Sequence, residues 1–197
     1  LSWGSVIAGS LITEHPNLVD KLVLLGAVYS YPNPAWVSIL DPANFRQFNK
    51  AIGSYRILTE NMIMAAWNAE IPHFDKSVFR HPDTVDLILN DMFKADKPWS
   101  EHQLEVRCLR IPTGVSFDVA QIYNQRPLYD SSLIKCPTLI IRGAYDSSSH
   151  PLDMENLLRQ LKSVDKKMLT FGDATHYAII ERNADKLWHE ITSFLKE

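Results

Sequence analysis

The chain has 197 residues, of which 46% are apolar and 22% are charged, as in ordinary globular domains. A formal net charge of −3 and the lack of a long apolar run argue against nucleic acid or a membrane as a partner. Two cysteines, Cys108 and Cys136, are too few for a disulfide framework, which favours a reducing compartment and hence a cytoplasmic location.

The first thirty residues predict a helix followed by a buried strand. Apolar residues recur at helical spacing from Ser2 to about Glu14, and the His-Pro-Asn run at 15–17 ends the helix. Small residues keep one side of this helix narrow, so that it can lie close to a sheet: Gly4, Ala8 and Gly9. Lys21 to Gly26 is a continuous apolar run of strand length, which is typical of a parallel strand covered on both faces.

Residues 31 to about 128 have a different character, with helical spacing and no clear strands. Loops are predicted at 31–34 and 111–114, and helices are predicted to begin at Pro82 and at about Ser116. The region is rich in aromatic and methionine residues: Trp36, Phe45, Phe48, Tyr55, Met62, Met64 and Trp67. They would suit the apolar wall of a substrate pocket, although packing between helices is the plainer explanation for any one of them.

After Leu128, strand and helix patterns alternate. Strands are predicted at Pro137 to Arg142 and at Lys167 to Phe171, with a helix starting at Pro151 between them. An amphipathic helix from Ala184 to Lys196 follows. This alternation predicts a parallel sheet.

Ser2 is the candidate nucleophile. A serine hydroxyl becomes reactive when a sharp turn between strand and helix exposes it beside a base, and Gly4 supplies a small residue for such a turn. Helix capping is the alternative role for Ser2. Asp146 follows a predicted strand, where functional groups collect in open α/β sheets, and is the candidate orienting acid. An aspartate that only stabilises its own turn is the alternative there.

His176, in a loop after the third predicted strand, is the candidate general base. Asp130 and Asp173 are rivals to Asp146, but Asp130 precedes its strand and Asp173 is very close to His176 in the loop. The other histidines fit the role of base less well: His15, His73, His81, His102, His150 and His189. Among them, His150 is the best rival to His176.

The run Ser2-Trp3-Gly4-Ser5, with His15-Pro16 and the Lys21–Gly26 strand after it, resembles the nucleophile elbow, helix and next strand of α/β-hydrolase-fold enzymes. Within that superfamily the run is similar to that of proline-iminopeptidase-like members. Residues 137–146 resemble the strand that bears the acid, and Thr175-His176 resembles the histidine loop. The order serine, aspartate, histidine is also the order of this superfamily.

The resemblance implies the C-terminal portion of an α/β-hydrolase parallel sheet. Its partial core would comprise residues 1–30 and 129–197, and residues 31–128 would form an inserted helical cap. The first half of the fold, five strands with their helices, is not in the sequence. The backbone N–H of Trp3 would be one donor of the oxyanion hole, and the other donor would lie in that first half.

The sequence therefore predicts a serine hydrolase with a Ser2–Asp146–His176 triad, acting on a small-molecule substrate with an acyl bond. We expect no metal and no cofactor, since ligand spacings and phosphate-binding glycine loops are not seen. Glu60 and Glu70 are candidates to bind a substrate amine in a peptidase, but an esterase is at least as well supported. The alternative is a non-catalytic remnant or interaction module with an open sheet edge, and a homo-oligomer stays open.

Overall fold

The computed structural model describes residues 1–43, 47–95 and 108–197. In chain order, the strands are β1 (Leu22–Leu25), β2 (Tyr55–Thr59), β3 (Cys108–Pro112), β4 (Thr138–Gly143) and β5 (Lys166–Phe171). The α-helices are α1 (Gly4–Glu14), α2 (Pro34–Leu40), α3 (Glu60–Glu70), α4 (Pro82–Lys94), α5 (Gly114–Tyr123), α6 (Pro151–Gln160) and α7 (Ala184–Lys196). Within these described ranges, no helix is both long enough and apolar enough to cross a membrane.

The main sheet is parallel, with the strand order β1-β4-β5. Ile140 on the central strand lies opposite Leu24 on one side and Met168 on the other. Every residue of β4 is buried, which explains its continuous apolar sequence, because both faces of a parallel strand are covered. The three predicted core strands and their parallel arrangement are confirmed.

Helices cover the two faces of this sheet. Ile140 packs in one cluster with Val6 of α1 and Leu157 of α6. Its neighbour Ile141 points to the opposite face and packs with Leu187 of α7. The alternation follows from the two-residue period of a strand, and it gives each face its own apolar layer.

Helix α1 lies close against Tyr129. A Cβ added at Gly9 would lie 2.5 Å from an atom of the Tyr129 ring, so no larger side chain fits there without movement. A small residue is therefore needed at Gly9, although its neighbour is the Tyr129 ring, which precedes β4, and not a strand of the sheet as predicted. The predicted need for a small residue is not confirmed at Gly4, where an added Cβ meets no atom within 4 Å.

The region 31–128 contains an antiparallel strand pair, β2 with β3, so the prediction of helices without strands was wrong. Leu58 lies opposite Leu109, and the end of β3 includes Ile111 and Pro112, so the predicted loop at 111–114 is wrong at these two residues. The two strands are far apart in the chain and partly exposed, so short-range periodicity does not reveal them. The predicted helices at Pro82 and near Ser116 are confirmed as α4 and α5.

This region also has an apolar cluster of its own. Trp67 of α3, Leu89 of α4 and Leu109 of β3 are among its buried members. Tyr177 and Ile180, which follow β5, pack against the cluster, so it extends onto the main domain. Two residues named in the sequence analysis, Phe45 and His102, lie outside the described residues.

Candidate active site

The turn before α1 gives Ser2 an unusual backbone conformation. Its φ is +53°, a region that non-glycine residues seldom adopt and that costs about 1–3 kcal/mol. The Ser2 N–H donates to the carbonyl of Leu25 at 2.9 Å, which joins the turn to the end of β1. Helix α1 starts two residues later, at Gly4. A strained turn of this kind is what the sequence predicted around Ser2.

Asp146 and His176 are hydrogen-bonded to each other. The His176 Nδ1 lies 2.9 Å from Oδ2 and 3.0 Å from Oδ1 of Asp146. The Asp146 side chain is 1% exposed and that of His176 is 17% exposed, so water competes little for this contact. Because the carboxylate holds the proton on Nδ1, the basic nitrogen of the neutral ring is Nε2.

The loop that carries Asp146 is held by its own backbone. Oδ1 of Asp146 accepts the N–H groups of Ser148 and Ser149, at 2.9 and 2.8 Å. The buried guanidinium of Arg142 donates to the carbonyls of Ser149 and Asp146, at 2.8 and 3.1 Å. The carboxylate therefore faces His176 from a fixed position.

Gly26 brings the Ser2 turn and the Asp146–His176 pair to one place. It directly follows Leu25, the acceptor of the Ser2 N–H, and its φ is +53°. A Cβ added at Gly26 would lie 3.0 Å from Asp146 Oδ2 and 3.2 Å from His176 Nδ1. All three predicted residues thus lie at the edge of the sheet where β1, β4 and β5 end.

The pKa of His176 is raised from its ordinary value of 6.5. Burial of the ring by itself lowers this pKa, but the hydrogen bond and the charge of Asp146, with a further contribution from the charge of Glu70, outweigh it. The imidazolium form is therefore stabilised, as a base that must accept a proton during a reaction requires.

Trp3 offers its backbone N–H beside Ser2. The neighbouring N–H groups are occupied, since that of Ser2 donates to Leu25 and that of Gly4 to Leu1. Among the described residues, the Trp3 N–H makes no hydrogen bond. The Trp3 indole donates to Asp118 on α5 at 2.9 Å, a contact that the sequence analysis did not predict.

A cavity of about 660 Å³ is lined in part by His176. Its apolar lining includes Ile63 together with Trp36 and Met62, two of the residues that the sequence suggests for an apolar wall. Its polar lining includes His176, Ser147 and Glu70. The cavity therefore joins an apolar interior to the candidate base.

Glu70 lies against both loops of the candidate site. Its carboxylate accepts the backbone N–H of His176 at 2.8 Å and that of Ser147 at 3.0 Å. From the sequence, Glu70 is only a candidate for binding a substrate amine, and that role stays a prediction. Its position three residues after Trp67, on the same helix face, is the signal that could have placed it here.

The rival residues have other partners. Asp130 accepts the N–H of Ser132 at 2.9 Å, and Asp173 lies 3.8 Å from the Lys186 ammonium. His150, the best rival to His176, stacks on a tyrosine ring and accepts a backbone N–H at the start of α6. No group of three or more metal-ligating side chains is found in the ranges that the structure describes.

Solved structures with a similar fold include an esterase from Exiguobacterium antarcticum, at 16% identity and a TM-score of 0.60, over 100% of this chain and 65% of that one. A thermophilic esterase from Thermogutta terrifontis matches at 17% identity and a TM-score of 0.57, over 100% and 62%. The enol-lactonase from Burkholderia xenovorans LB400 matches at 18% identity and a TM-score of 0.56, over 100% and 64%. This chain thus spans less than two thirds of each of these structures.

At these identities the likeness concerns the fold. The comparison with curated proteins returned no match. Residues 1–183 match the sequence model of a family described as the alpha/beta hydrolase fold. This match and the parallel sheet confirm the resemblance seen in the sequence, and the chain belongs to the α/β-hydrolase fold family.

Proposed function

We propose that this protein is a serine hydrolase that cleaves an ester or amide-type acyl bond of a small molecule. Ser2 is the nucleophile, His176 the general base and Asp146 the acid that orients His176. The observation that carries the proposal is the 2.9 Å bond between Asp146 and His176, at the sheet edge where the Ser2 turn is anchored. Membership of the hydrolase family supports it.

In the first half of the reaction, Nε2 of His176 takes the proton of the Ser2 hydroxyl while Oγ bonds to the carbonyl carbon. The oxyanion that forms accepts the Trp3 N–H at the positive end of α1. The imidazolium, stabilised by Asp146, then gives its proton to the leaving group, and the bond to that group breaks. The product is an acyl ester on Ser2.

In the second half, water replaces the leaving group. His176 removes a proton from water as its oxygen attacks the acyl carbon, and then returns that proton to Oγ of Ser2 as the acyl bond breaks. The acid product leaves and the enzyme is restored. Atoms and charges balance without a metal or a redox partner.

An ester or lactone is the favoured substrate over a peptide. The cavity beside His176 is mainly apolar, and its carboxylate, Glu70, already accepts hydrogen bonds from two backbone N–H groups and the Ser147 hydroxyl. A carboxylate used in this way is poorly free to bind a substrate amine. The named activities of the esterases and the enol-lactonase with similar folds point the same way.

We also infer that residues 31–128 form a cap over a core made of residues 1–30 and 129–197. Both parts contribute residues to the wall of the cavity. Trp36 and Met62 belong to residues 31–128, and Ser147 and His176 belong to residues 129–197. The apolar cluster around Trp67 and Leu89 is the body of this cap. Such a cap would select substrates by the shape of the cavity.

A fluorophosphonate probe tests the proposal in the full-length protein. We expect covalent labelling at Ser2, identified by peptide mass, and hydrolysis of p-nitrophenyl acetate. Ser2→Ala should abolish both, and Ser10→Ala, on the same helix, should leave both unchanged. A full-length protein that is not labelled, or that is labelled equally after Ser2→Ala, would contradict the proposal and favour a non-catalytic role.

A further inference from the structure

Helix α3 is attached to the loop that carries His176. The indole N–H of Trp67, a buried residue of α3, donates to Oε1 of Glu181 at 2.8 Å. Glu181 is 5% exposed, and it accepts the backbone N–H of Thr175 at 2.9 Å and its hydroxyl at 2.6 Å. The Trp67 ring also stacks on Tyr177, with centroids 4.9 Å apart. The helix is thus joined to the residues on both sides of His176.

Glu70 lies one turn further along the same helix and contacts two loops at once. Oε2 accepts the N–H of His176 at 2.8 Å, in the loop after β5. Oε1 accepts the N–H of Ser147 at 3.0 Å and also the Ser147 hydroxyl, in the loop after β4. Ser147 directly follows Asp146. A single carboxylate therefore bridges the residue next to the proposed acid and the proposed base itself.

We propose that Glu70 is a positioning residue, which holds the loops of Asp146 and His176 at the separation that their side-chain hydrogen bond requires. The proposal rests on the proposed function, since it concerns the same triad. Glu70 acts through the backbone of Ser147 and His176, so it is distinct from the residues that touch the reacting atoms.

The bridge made by Glu70 limits how far the two loops can move relative to each other. Asp146 and His176 are on different loops, which leave neighbouring strands and are joined by a backbone hydrogen bond from the Tyr145 N–H to the Ala174 carbonyl. Glu70 adds a second connection, at the residues Ser147 and His176. Hydrogen bonds from backbone N–H groups to a carboxylate are short and strong, because the acceptor is charged. A displacement of about 1 Å between catalytic groups can cost a factor of about 100 in rate, so a bridge at this point matters to the reaction.

The contacts of Glu70 also distinguish this role from general stabilisation. The side chain is only half-buried and lines the cavity, so its removal leaves a gap that water can fill. Trp67 and its apolar neighbours would still hold α3 in place. Removal of the Glu70 side chain should therefore loosen the loops of Asp146 and His176 and leave the rest of the fold unchanged.

The test compares Glu70→Ala and Glu70→Gln with Glu155→Gln, which removes an exposed carboxylate on α6. Amide hydrogen exchange at Ser147 and His176 reports on the bridge, and exchange in β4 reports on the fold. Turnover of p-nitrophenyl acetate and the rate of fluorophosphonate labelling report on the reaction. All measurements use the full-length protein.

With Glu70→Ala we expect exchange at both amides to rise at least about tenfold, while exchange in β4 is unchanged. We expect kcat to fall about 10–100-fold, with KM changed less than about twofold, because positioning affects the transition state. Glu70→Gln keeps one acceptor oxygen and should lie between the wild type and Glu70→Ala. Glu155→Gln should match the wild type in every measurement.

Unchanged exchange at Ser147 and His176 would overturn the proposal, as would faster exchange with an unchanged kcat. A higher KM with an unchanged kcat would also overturn it, because Glu70 would then bind substrate. A wild-type protein without labelling at Ser2 overturns the proposed function instead. The exchange measurements would then still decide whether Glu70 joins the two loops.

Discussion

The indole of Trp3 donates a 2.9 Å hydrogen bond to the carboxylate of Asp118 on α5. Trp3 follows the proposed nucleophile, and α5 lies in the region 31–128. The turn that carries Ser2 is therefore held by a helix outside the main sheet. Together with the contacts of Glu70, this bond means that the turn of Ser2 and the Asp146–His176 pair are both supported by residues of the range 31–128.

The first prediction concerns this bond. Trp3→Phe keeps an aromatic ring but removes the donor, and Asp118→Ala removes the acceptor. Each change should lower the labelling rate at Ser2 a few-fold, because the turn becomes less well fixed. In a double-mutant cycle on urea unfolding, the coupling free energy should be about 0.5–1.5 kcal/mol. Strictly additive effects would show that the bond does not contribute.

A second prediction concerns Gly26, where a positive φ coincides with contact to Asp146 and His176. Gly26→Ala should reduce hydrolysis more than about 100-fold, since the methyl group would displace the acid or the base. Gly53→Ala is the matched control, because its φ is +76° but an added Cβ meets no atom within 4 Å. Both variants should lose free energy of unfolding, by at least about 1 kcal/mol each, because alanine is strained at a positive φ. Equal loss of activity in the two would contradict the prediction.

A third prediction concerns the pH dependence of hydrolysis. His176 must be neutral to accept a proton, and its pKa is raised above 6.5, so the acidic limb of kcat/KM should lie above pH 6.5. In Asp146→Asn the main contribution that raises this pKa is lost, so the limb should move to lower pH. The maximal rate should also fall, by about 10⁴-fold, because the imidazolium loses its partner. If the acidic limb of kcat/KM lies at the same pH in Asp146→Asn as in the wild type, another residue is the base.

The raised pKa of His176 also predicts how the stability of the fold depends on pH. A histidine whose pKa is higher in the folded state stabilises the fold fully below its unfolded value of 6.5, and this contribution disappears as pH rises through the folded pKa. The difference in unfolding free energy between the wild type and Asp146→Asn should therefore be larger at pH 5.5 than at pH 9. Urea denaturation at the two pH values measures it, and an opposite trend would contradict the assignment.

A fourth prediction concerns the contact of α1 with Tyr129. Gly9→Ala should destabilise the protein by about 1–3 kcal/mol, because the added methyl group overlaps the Tyr129 ring. Gly114→Ala, near the start of α5, has open space around the new methyl group and should be neutral or slightly stabilising. Thermal unfolding of the two variants distinguishes them. Similar melting temperatures would show that the ring moves aside at little cost.

The main sheet and its helices were predictable because their signals are local. The apolar runs that became β1 and β4 are buried on both faces, and burial on both faces leaves a continuous pattern in the sequence. Ser2 was proposed because a glycine and a helical pattern follow it, whereas Asp146 and His176 were proposed because each follows a predicted strand. Their positions at the ends of strands bring them to one edge of a parallel sheet.

The contacts between distant segments were not predictable in the same way. The pairing of β2 with β3 depends on residues far apart in the chain, and half-exposed strands carry little periodicity. Asp118 appears in the sequence as an ordinary polar residue, and Glu70 only as a candidate to bind a substrate amine. Only the folded arrangement shows that one meets Trp3 and that the other meets the backbone of Ser147 and His176.

The order of side chains along helix α3 has a consequence for protein engineering. The same helix lines the cavity with Ala66 and Ala69 and carries Trp67 and Glu70, which hold the histidine loop. A library that enlarges or reshapes the cavity can vary the two alanines without disturbing that loop. Randomising Trp67 or Glu70 for the same purpose would change the range of substrates but would also lower the turnover rate. Positions that tolerate substitution therefore alternate along this helix with positions that do not.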